Sequence, residues 1–179
     1  MIKELLTQGE MAFCLSDEYK PQFLEPVGKY VLWKLKICWD DYNELFHAAA
    51  FFEKVNRDKT IHIDSHLMFK KSELSGVVFI LSGNLRSIEQ RMQIKDEQYA
   101  LLLKYFHIVE KGRGYGMTWL NEVILPYYNS KSFTRIYLAS SHPDSFRFYE
   151  KFGCAIGEYY SKSDNQLFVR QGKYFMLEL

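Results

Sequence analysis

The sequence predicts an α/β protein built on a mixed β-sheet. Three observations support this fold class. Some segments alternate apolar and polar residues, as strands do, and others repeat apolar residues at helical spacing. A glycine-rich turn also separates a predicted strand from a predicted helix. At 179 residues, with 47% hydrophobic and 25% charged residues, the chain is suited to one globular domain. We therefore expect residues 1–179 to form a single domain.

The first half of the chain predicts mostly strands. Alternation over residues 30–37 predicts a strand, and Asp40 or Asp41 then caps a helix that runs to about Val55. Residues 72–76 are expected to form the turn of a hairpin, and residues 82–97 a short helix or an irregular excursion. The other strands predicted in this part are residues 11–15, 60–70, 77–81 and 99–108.

The second half predicts helices and strands in alternation. A helix over residues 115–125 should end at Pro126, and a helix over residues 143–152 should stop at Gly153. Strands are predicted over residues 133–139, 155–160 and 173–177, and a polar loop over residues 162–166. The strand–helix–strand unit of residues 99–139 favours a parallel pair of strands.

Composition and charge exclude several classes of function. The net charge is +1 and the pI about 7.7, which argues against a nucleic-acid partner held by basic residues. Three scattered cysteines without a CxxC motif predict reduced thiols rather than a disulfide framework. No apolar run reaches the roughly 20 residues of a membrane-spanning helix. We expect a cytoplasmic protein without a membrane partner, and a homodimer is an open alternative.

A glycine-rich turn is the first candidate site. Gly112, Gly114 and Gly116 alternate between the strand and the helix, where backbone amides and the helix N-terminus can hold an anion. Lys111 and Arg113 add positive charge. The alternative interpretation is a tight turn without a ligand.

Two common phosphate sites do not fit this turn. A Walker loop requires a Lys-Ser or Lys-Thr pair, which is absent after these glycines. A dinucleotide-binding turn requires a third glycine where Met117 stands and an acidic residue after the next strand, where residues 138–141 have none.

Two segments together resemble the GNAT superfamily of acyl-CoA-dependent N-acetyltransferases. Residues 111–116, Lys-Gly-Arg-Gly-Tyr-Gly, resemble its (Gln/Arg)-x-x-Gly-x-(Gly/Ala) motif, with Lys111 in the Gln/Arg position. Residues 145–154, Ser-Phe-Arg-Phe-Tyr-Glu-Lys-Phe-Gly-Cys, resemble its Ala-x-x-Phe-Tyr-Glu-Lys-x-Gly-Phe pattern. His142 stands where the family commonly has Asn.

The resemblance implies a GNAT-like mixed central sheet flanked by helices, with acetyl-CoA as cosubstrate. Amides around residues 113–117 would hold the pyrophosphate, and residues 106–108 would offer a strand edge to the pantetheine arm. Lys151 could reach the 3′-phosphate or belong to a solvated basic face, and Ser140 could bond the pantetheine or the acceptor. The predicted cofactor-binding residues are Phe106, His107, Ile108, Lys111, Gly112, Arg113, Gly114, Tyr115, Gly116, Met117, Ser140, Phe148 and Lys151.

Tyr149 is the predicted general acid. A thiolate leaves more easily when it is protonated, and a tyrosine is a suitable donor. The alternative is that Tyr149 packs with Phe146 and Phe152. For the base that deprotonates the amine, His107, Glu110 and a water chain are the candidates.

The sequence thus predicts an N-acetyltransferase in which a primary amine attacks acetyl-CoA directly in a ternary complex. The acceptor would be a small-molecule amine or an amine of a peptide or protein. The alternatives are a non-catalytic acyl-CoA sensor and an acetyltransferase acting on aminoacyl-tRNA. We expect no metal, because His62, Asp64 and His66 fit a polar strand face lining the acceptor side better than a metal site.

Overall fold

The fold consists of eight strands and five α-helical segments in a computed structural model that describes residues 1–37 and 42–179. The strands are β1 (Ile2–Gln8), β2 (Met11–Ser16), β3 (Ile61–Lys70), β4 (Glu73–Gly83), β5 (Ala100–Ile108), β6 (Arg135–Ser140), β7 (Gly153–Lys162) and β8 (Val169–Glu178). The α-helices are α1 (Glu25–Ile37), α2 (Glu44–Val55), α3 (Tyr115–Thr118), α4 (Leu125–Asn129) and α5 (Pro143–Tyr149).

The strands form one mixed sheet in the order β1-β2-β3-β4-β5-β6-β8-β7. Only β5 and β6 are parallel to each other among the described strands, and the other neighbours are antiparallel. The predicted α/β class and the predicted parallel pair are therefore confirmed.

Helices cover both faces of the sheet. On one face, Val27 of α1 and Phe52 of α2 are buried against Phe79 and Leu102 of the central strands. The opposite face packs against the helical residues 115–129 and α5, and Trp119 is fully buried there. Each strand of the centre therefore buries side chains in two separate apolar cores.

The strand predicted over residues 30–37 is wrong, because these residues form the second half of α1. Pro26 lies in the first turn, which tolerates a missing N–H, and Val27, Val31 and Lys34 are buried at helical spacing. The helical spacing is not clear in the sequence, because the outer face of α1 also carries exposed apolar side chains. They are Leu32, Trp33, Leu35 and Ile37.

The N-terminus of α2 is capped by Asn43, whose side chain accepts a hydrogen bond from the Phe46 amide at 3.0 Å. The predicted caps Asp40 and Asp41 lie outside the described residues. The helix ends at Val55, as predicted.

Several predicted boundaries are wrong for local reasons. The helix after the glycine turn does not end at Pro126. It passes through a π-helical segment, Trp119–Ile124, into α4, whose first turn holds Pro126 where no N–H is needed. The hairpin turn is only Lys71-Ser72, both with positive φ, so β4 begins earlier than predicted.

Gly153 does not stop the preceding helix. It begins β7, and α5 ends at Tyr149. A Cβ at Gly153 would clash with the Met176 carbonyl oxygen, so the close approach of β8 requires glycine here. Strand β1, which was not predicted, is an edge strand with mostly exposed residues and weak alternation.

Candidate functional site

A gap opens between the two parallel strands. β5 and β6 pair from Ala100 and Arg135 to Leu103 and Leu138, and the described residues of the two strands do not pair beyond this point. Beyond this point β5 continues along β4 to Ile108, and β6 continues along β8. Residues 104–108 therefore have no strand partner on the β6 side, which leaves a main-chain edge to which an extended ligand can add.

A β-bulge at Tyr105 sets which side chains face the gap region. Tyr105 has φ 53°, and the β4–β5 register shifts between Val77 and Phe79. Because the bulge inserts one residue, the alternation of side chains changes phase after it. Phe106 and Ile108 pack on the α3 side of the sheet, while the His107 ring lies 4.8 Å from the Tyr30 ring of α1.

The glycine turn connects the end of β5 to the start of α3. Gly112 and Gly114 have φ of 75° and 77°, and a Cβ on either would meet no atom within 4 Å. The backbone conformation therefore favours glycine, while the space outside the turn is open to a ligand. The Met117 amide donates to the Gly114 carbonyl at 2.9 Å, so the amides of residues 113–116 are the better candidates for an anion.

At Gly116 the start of α3 lies in close contact with α5. A Cβ there would lie 3.3 Å from Cζ of Phe148 and 3.5 Å from Cδ1 of Ile108. The Phe148 ring also lies 5.9 Å from that of Phe106. On the other side, Nζ of Lys70 lies 5.7 Å from the Tyr115 ring centroid.

Lys111 lies beside an aromatic cavity. Its Nζ is 4.9 Å from the Tyr30 ring centroid, and burial lowers the pKa of its ammonium. The cavity has a volume of about 230 Å³ and lies between α1 and the end of β5. It is lined by Lys29, Tyr30, Trp33, Ile108, Val109 and Lys111.

Tyr149 is the last residue of α5 and is buried. Its ring packs 5.5 Å from Phe175 of β8 and 5.2 Å from Phe148. Burial raises the pKa of its hydroxyl well above 10, so the side chain is protonated at neutral pH. Both predicted features, a proton donor and an aromatic packing residue, are compatible with this position.

The base candidates differ in their surroundings. Burial, with Lys111, His142 and Lys34 as further causes, lowers the pKa of His107 to about 3. Its Nδ1 is buried without a hydrogen-bond partner among the described residues. Glu110 accepts hydrogen bonds from Lys70 at 2.6 and 2.7 Å, which lowers the pKa of its carboxyl.

The remaining predicted residues are Ser140 at the end of β6, Arg113 in the glycine turn and Lys151 in the turn after α5. Ser140 Oγ lies 2.8 Å from Ser145 Oγ and accepts from the His142 amide at 3.2 Å, so it shapes the start of α5. Lys151 and Arg113 are exposed, as expected for side chains that would meet phosphate groups.

A cluster of polar side chains on the α1 and α2 side of the gap was not predicted from the sequence. It contains Tyr30 and Lys34 of α1, Glu44 of α2, and His142. Its members are distant in sequence, and α1 was predicted as a strand. The one local signal is His142, where the GNAT motif commonly has Asn.

His62, Asp64 and His66 lie on the α4 face of the sheet, so the prediction that they line the acceptor side is wrong. Tyr128 donates to Asp64 at 2.7 Å, and its hydroxyl lies 2.9 Å from Nε2 of His66. Among residues 1–37 and 42–179, no group of three or more His, Cys, Asp or Glu could hold a metal. No helix in the same ranges is long and apolar enough to cross a membrane.

Solved structures share this architecture. No protein-family model matches the sequence, and no curated protein is significantly similar to it. RimL, a ribosomal L7/L12 alpha-N-protein acetyltransferase, aligns at 13% identity over 100% of this chain and 96% of its own, with a TM-score of 0.59. The protein yncA from Salmonella typhimurium, solved with acetyl-CoA, aligns at 12% identity over 96% and 95%, with a TM-score of 0.57.

NAA60 of Arabidopsis thaliana, solved with a bisubstrate analogue, aligns at 17% identity over 93% of this chain and 99% of its own, with a TM-score of 0.56. Identities this low establish architecture only. The mixed sheet, its splayed parallel pair and these neighbours together show that the chain has the fold of the GNAT acetyltransferases.

Proposed function

We propose that the protein is an acetyl-CoA-dependent N-acetyltransferase acting on a primary amine. The observation that carries the proposal is the gap between β5 and β6, which opens beside the glycine turn. A strand edge and an anion-binding turn in sequence suit a ligand with an extended amide-containing arm and a pyrophosphate. The structural neighbour yncA was solved with this cosubstrate.

The proposed binding roles follow from position. The amides of residues 113–116 would hold the pyrophosphate, with Arg113 and Lys111 adding positive charge. The main chain of residues 106–108 would bind the pantetheine arm, and Phe148 would pack beside it at Gly116. Lys151 is exposed and available to the 3′-phosphate.

Tyr149 is proposed as the general acid. The amine attacks the thioester carbonyl, the carbon–sulfur bond breaks, and Tyr149 protonates the departing thiolate. The high pKa of Tyr149 keeps its proton in place until sulfur develops negative charge. The tyrosinate then regains a proton from the amine nitrogen, directly or through water.

The acceptor is proposed to be a small-molecule amine or an amine of a peptide or protein. RimL is described by its action on a protein α-amine, which supports the second class. The cavity beside Tyr30 and Trp33 is aromatic, so we expect acceptors with an apolar group next to the amine to be preferred.

Calorimetric titration with acetyl-CoA tests the proposal on the Gly114→Glu variant. Glutamate would place negative charge at the proposed pyrophosphate site, so we expect the variant to lose binding that the wild type shows. Gly9→Glu is a matched control. Gly9 also has positive φ, 61°, and open space around it, but it lies in the β1–β2 turn.

If both variants lose acetyl-CoA binding equally, backbone strain, and not the charge placed at the glycine turn, is the cause of the loss. No binding by a folded wild type, as judged by circular dichroism, would refute the proposed function. The glycine turn would then be a structural connection only.

A further inference from the structure

His142 lies between a hydroxyl and a carboxylate on the helical side of the gap. Its Nδ1 is 3.4 Å from the Tyr30 hydroxyl oxygen, and its Nε2 is 3.6 Å from Oε1 of Glu44. In the tautomer with a proton on Nε2, Tyr30 donates to Nδ1, and the Nε2–H group lies 3.6 Å from the carboxylate of Glu44, at ion-pair rather than hydrogen-bond distance. Glu44 is thus placed to stabilise a positive charge on this imidazole.

The carboxylate of Glu44 is held in place by a buried ion pair. Lys34 donates to both oxygens at 2.9 and 2.7 Å and to the Tyr42 carbonyl at 2.6 Å. The side chains of Lys34 and Glu44 are only 5% and 3% exposed, whereas that of His142 is 37% exposed. The fixed pair therefore keeps a carboxylate beside a histidine that is still partly exposed.

Tyr30 connects this histidine to the gap. Its ring lies 4.8 Å from that of His107 on β5 and 5.7 Å from that of His142 after β6. It also lines the 230 Å³ cavity together with Ile108 and Lys111. Tyr30 therefore reaches from β5 to the residue that follows β6 by two positions, across the interval in which the two strands are unpaired. An amine that entered this interval from the α1 side would meet the Tyr30 hydroxyl.

We propose that Tyr30, His142 and Glu44 form the proton relay that deprotonates the attacking amine, an inference that rests on the proposed acetyltransferase function. The ammonium gives a proton to the Tyr30 oxygen as the hydroxyl proton passes to His142 Nδ1. Tyr30 is thereby unchanged, and the imidazolium is stabilised by Glu44. The free amine attacks, its second proton restores Tyr149, and the imidazolium releases one proton to solvent.

The charged and titratable groups around His142 favour its neutral form. Burial, Lys34 and Lys111 lower its pKa, while Glu44 and Asp144 oppose this effect. The neighbouring rings are Tyr30 and His107. A histidine that is neutral at pH 7 can accept a proton, and the adjacent carboxylate limits the cost of charging it.

The other candidates lack such partners. Burial lowers the pKa of His107 to about 3, and the charged groups of the described residues that act on it, Lys111, His142 and Lys34, all oppose its charged form. Glu110 already accepts a hydrogen bond from Lys70. Of the groups near the gap in the described parts of the chain, the relay therefore has the best arrangement for proton transfer.

The pH dependence of kcat/KM in the His142→Gln variant tests the relay. The acceptors are benzylamine, which is mostly protonated at pH 7, and aniline, which is not. For benzylamine, the wild-type value should be flat from the pKa of His142 up to that of the amine, because the relay accepts the ammonium proton. In the variant it should rise tenfold per pH unit, because only the free amine reacts.

At pH 7 the His142→Gln variant should lose about 10²-fold in kcat/KM for benzylamine and keep most of its activity on aniline. Tyr30→Phe should give the same pattern. His62→Gln is the matched control, because His62 also pairs with a carboxylate, Asp64 at 3.0 Å, but on the opposite face of the sheet. The control should retain the wild-type profile.

Nuclear magnetic resonance of ¹⁵N-labelled imidazoles gives a readout that requires no acceptor. We expect His142 at pH 7 to be neutral with its proton on Nε2, and Tyr30→Phe to shift the Nδ1 resonance. A protonated His142, or the opposite tautomer, would overturn the relay.

The two proposals fail differently. If the folded wild type binds no acetyl-CoA, both the proposed acetyltransferase function and the proposed relay are refuted. The wild type could instead bind acetyl-CoA and acetylate benzylamine while the His142→Gln variant keeps a flat pH profile. That result would support the proposed function and refute only the relay.

Discussion

Tyr149 places one hydroxyl among aromatic side chains. Its ring contacts Phe148 and Phe175, and phenylalanine would preserve these contacts while removing the proton. We expect Tyr149→Phe to lower kcat by about 10²- to 10⁴-fold and to leave the acetyl-CoA dissociation constant within about twofold of wild type. Steady-state kinetics and calorimetry measure the two quantities.

An unchanged kcat in Tyr149→Phe would contradict the acid role and leave this tyrosine as a packing residue. Loss of acetyl-CoA binding in the variant would instead indicate that the hydroxyl contributes to the binding site. The folded state can be verified by near-ultraviolet circular dichroism.

At the level of single residues, the positions of the glycine turn and of Tyr149 could be predicted, because each belongs to a continuous segment that can be compared with a known motif; their roles stay predictions. The residues of the proposed relay were not predicted. Tyr30, Glu44 and His142 come from three separate elements, and their proximity depends on how α1 and α2 pack on the sheet. No local pattern encodes that packing.

Among the elements, α1 was the most difficult to predict. Tyr, Val, Leu and Trp at residues 30–33 favour strands, and both faces of the helix carry apolar residues. The helical spacing of Val27, Val31 and Lys34 is visible only when a lysine is accepted as a buried position. Lysine is rarely buried unless it is paired, and here the partner is Glu44 on the next helix.

The Lys34–Glu44 pair links α1 to α2 and should be important for stability. Lys34→Ala would leave a buried carboxylate unpaired, which typically costs about 3–5 kcal/mol in the free energy of unfolding. Lys29→Ala is the control, because the Lys29–Glu25 pair is exposed and such pairs contribute at most about 1 kcal/mol. Urea denaturation followed by fluorescence measures both variants.

Similar losses in the two variants would show that Glu44 finds another partner or is solvated when Lys34 is removed. The single variant Lys34→Met keeps the volume of the side chain and removes only its charge. A large loss in Lys34→Met that is recovered by the double variant Lys34→Met, Glu44→Leu would confirm that the unpaired charge, and not lost packing, is the cause.

For the molecule as a whole, the sheet order follows from the sequence more clearly in its centre than at its edges. Residues 60–108 form strong strands in succession, and their neighbours in the sheet are consecutive in sequence. The insertion of β8 between β6 and β7 is not evident from any pattern, because antiparallel pairing of β7 and β8 is equally compatible with either order.

Acid should destabilise the protein through two buried histidines. The pKa is about 4 for His66 and about 3 for His107, against about 6.5 in an unfolded chain. Below pH 6.5 the unfolded state binds more protons, so the free energy of unfolding should fall toward pH 4. The slope is at most about 1.4 kcal/mol per pH unit for each histidine.

Urea denaturation at pH 7.5, 6.0 and 5.0 checks this dependence. A His66→Asn variant should show a smaller decrease between pH 6.0 and 5.0 than the wild type, because one of the two groups is removed. A free energy of unfolding that does not change between pH 6.5 and 5.0 would contradict the prediction.

The bulge at Tyr105 lets β5 carry one extra residue without exchanging the two faces of its end. Lys104 and Tyr105 both lie on the α2 side of the sheet, close to the Phe51 ring. Loss of the Tyr105 codon would therefore give a regular β4–β5 ladder in which Phe106 still packs on the Trp119 side and His107 still faces Tyr30. A gene variant that lacks this one residue should keep the side chains at the end of β5 on their present faces and lose only the bulge.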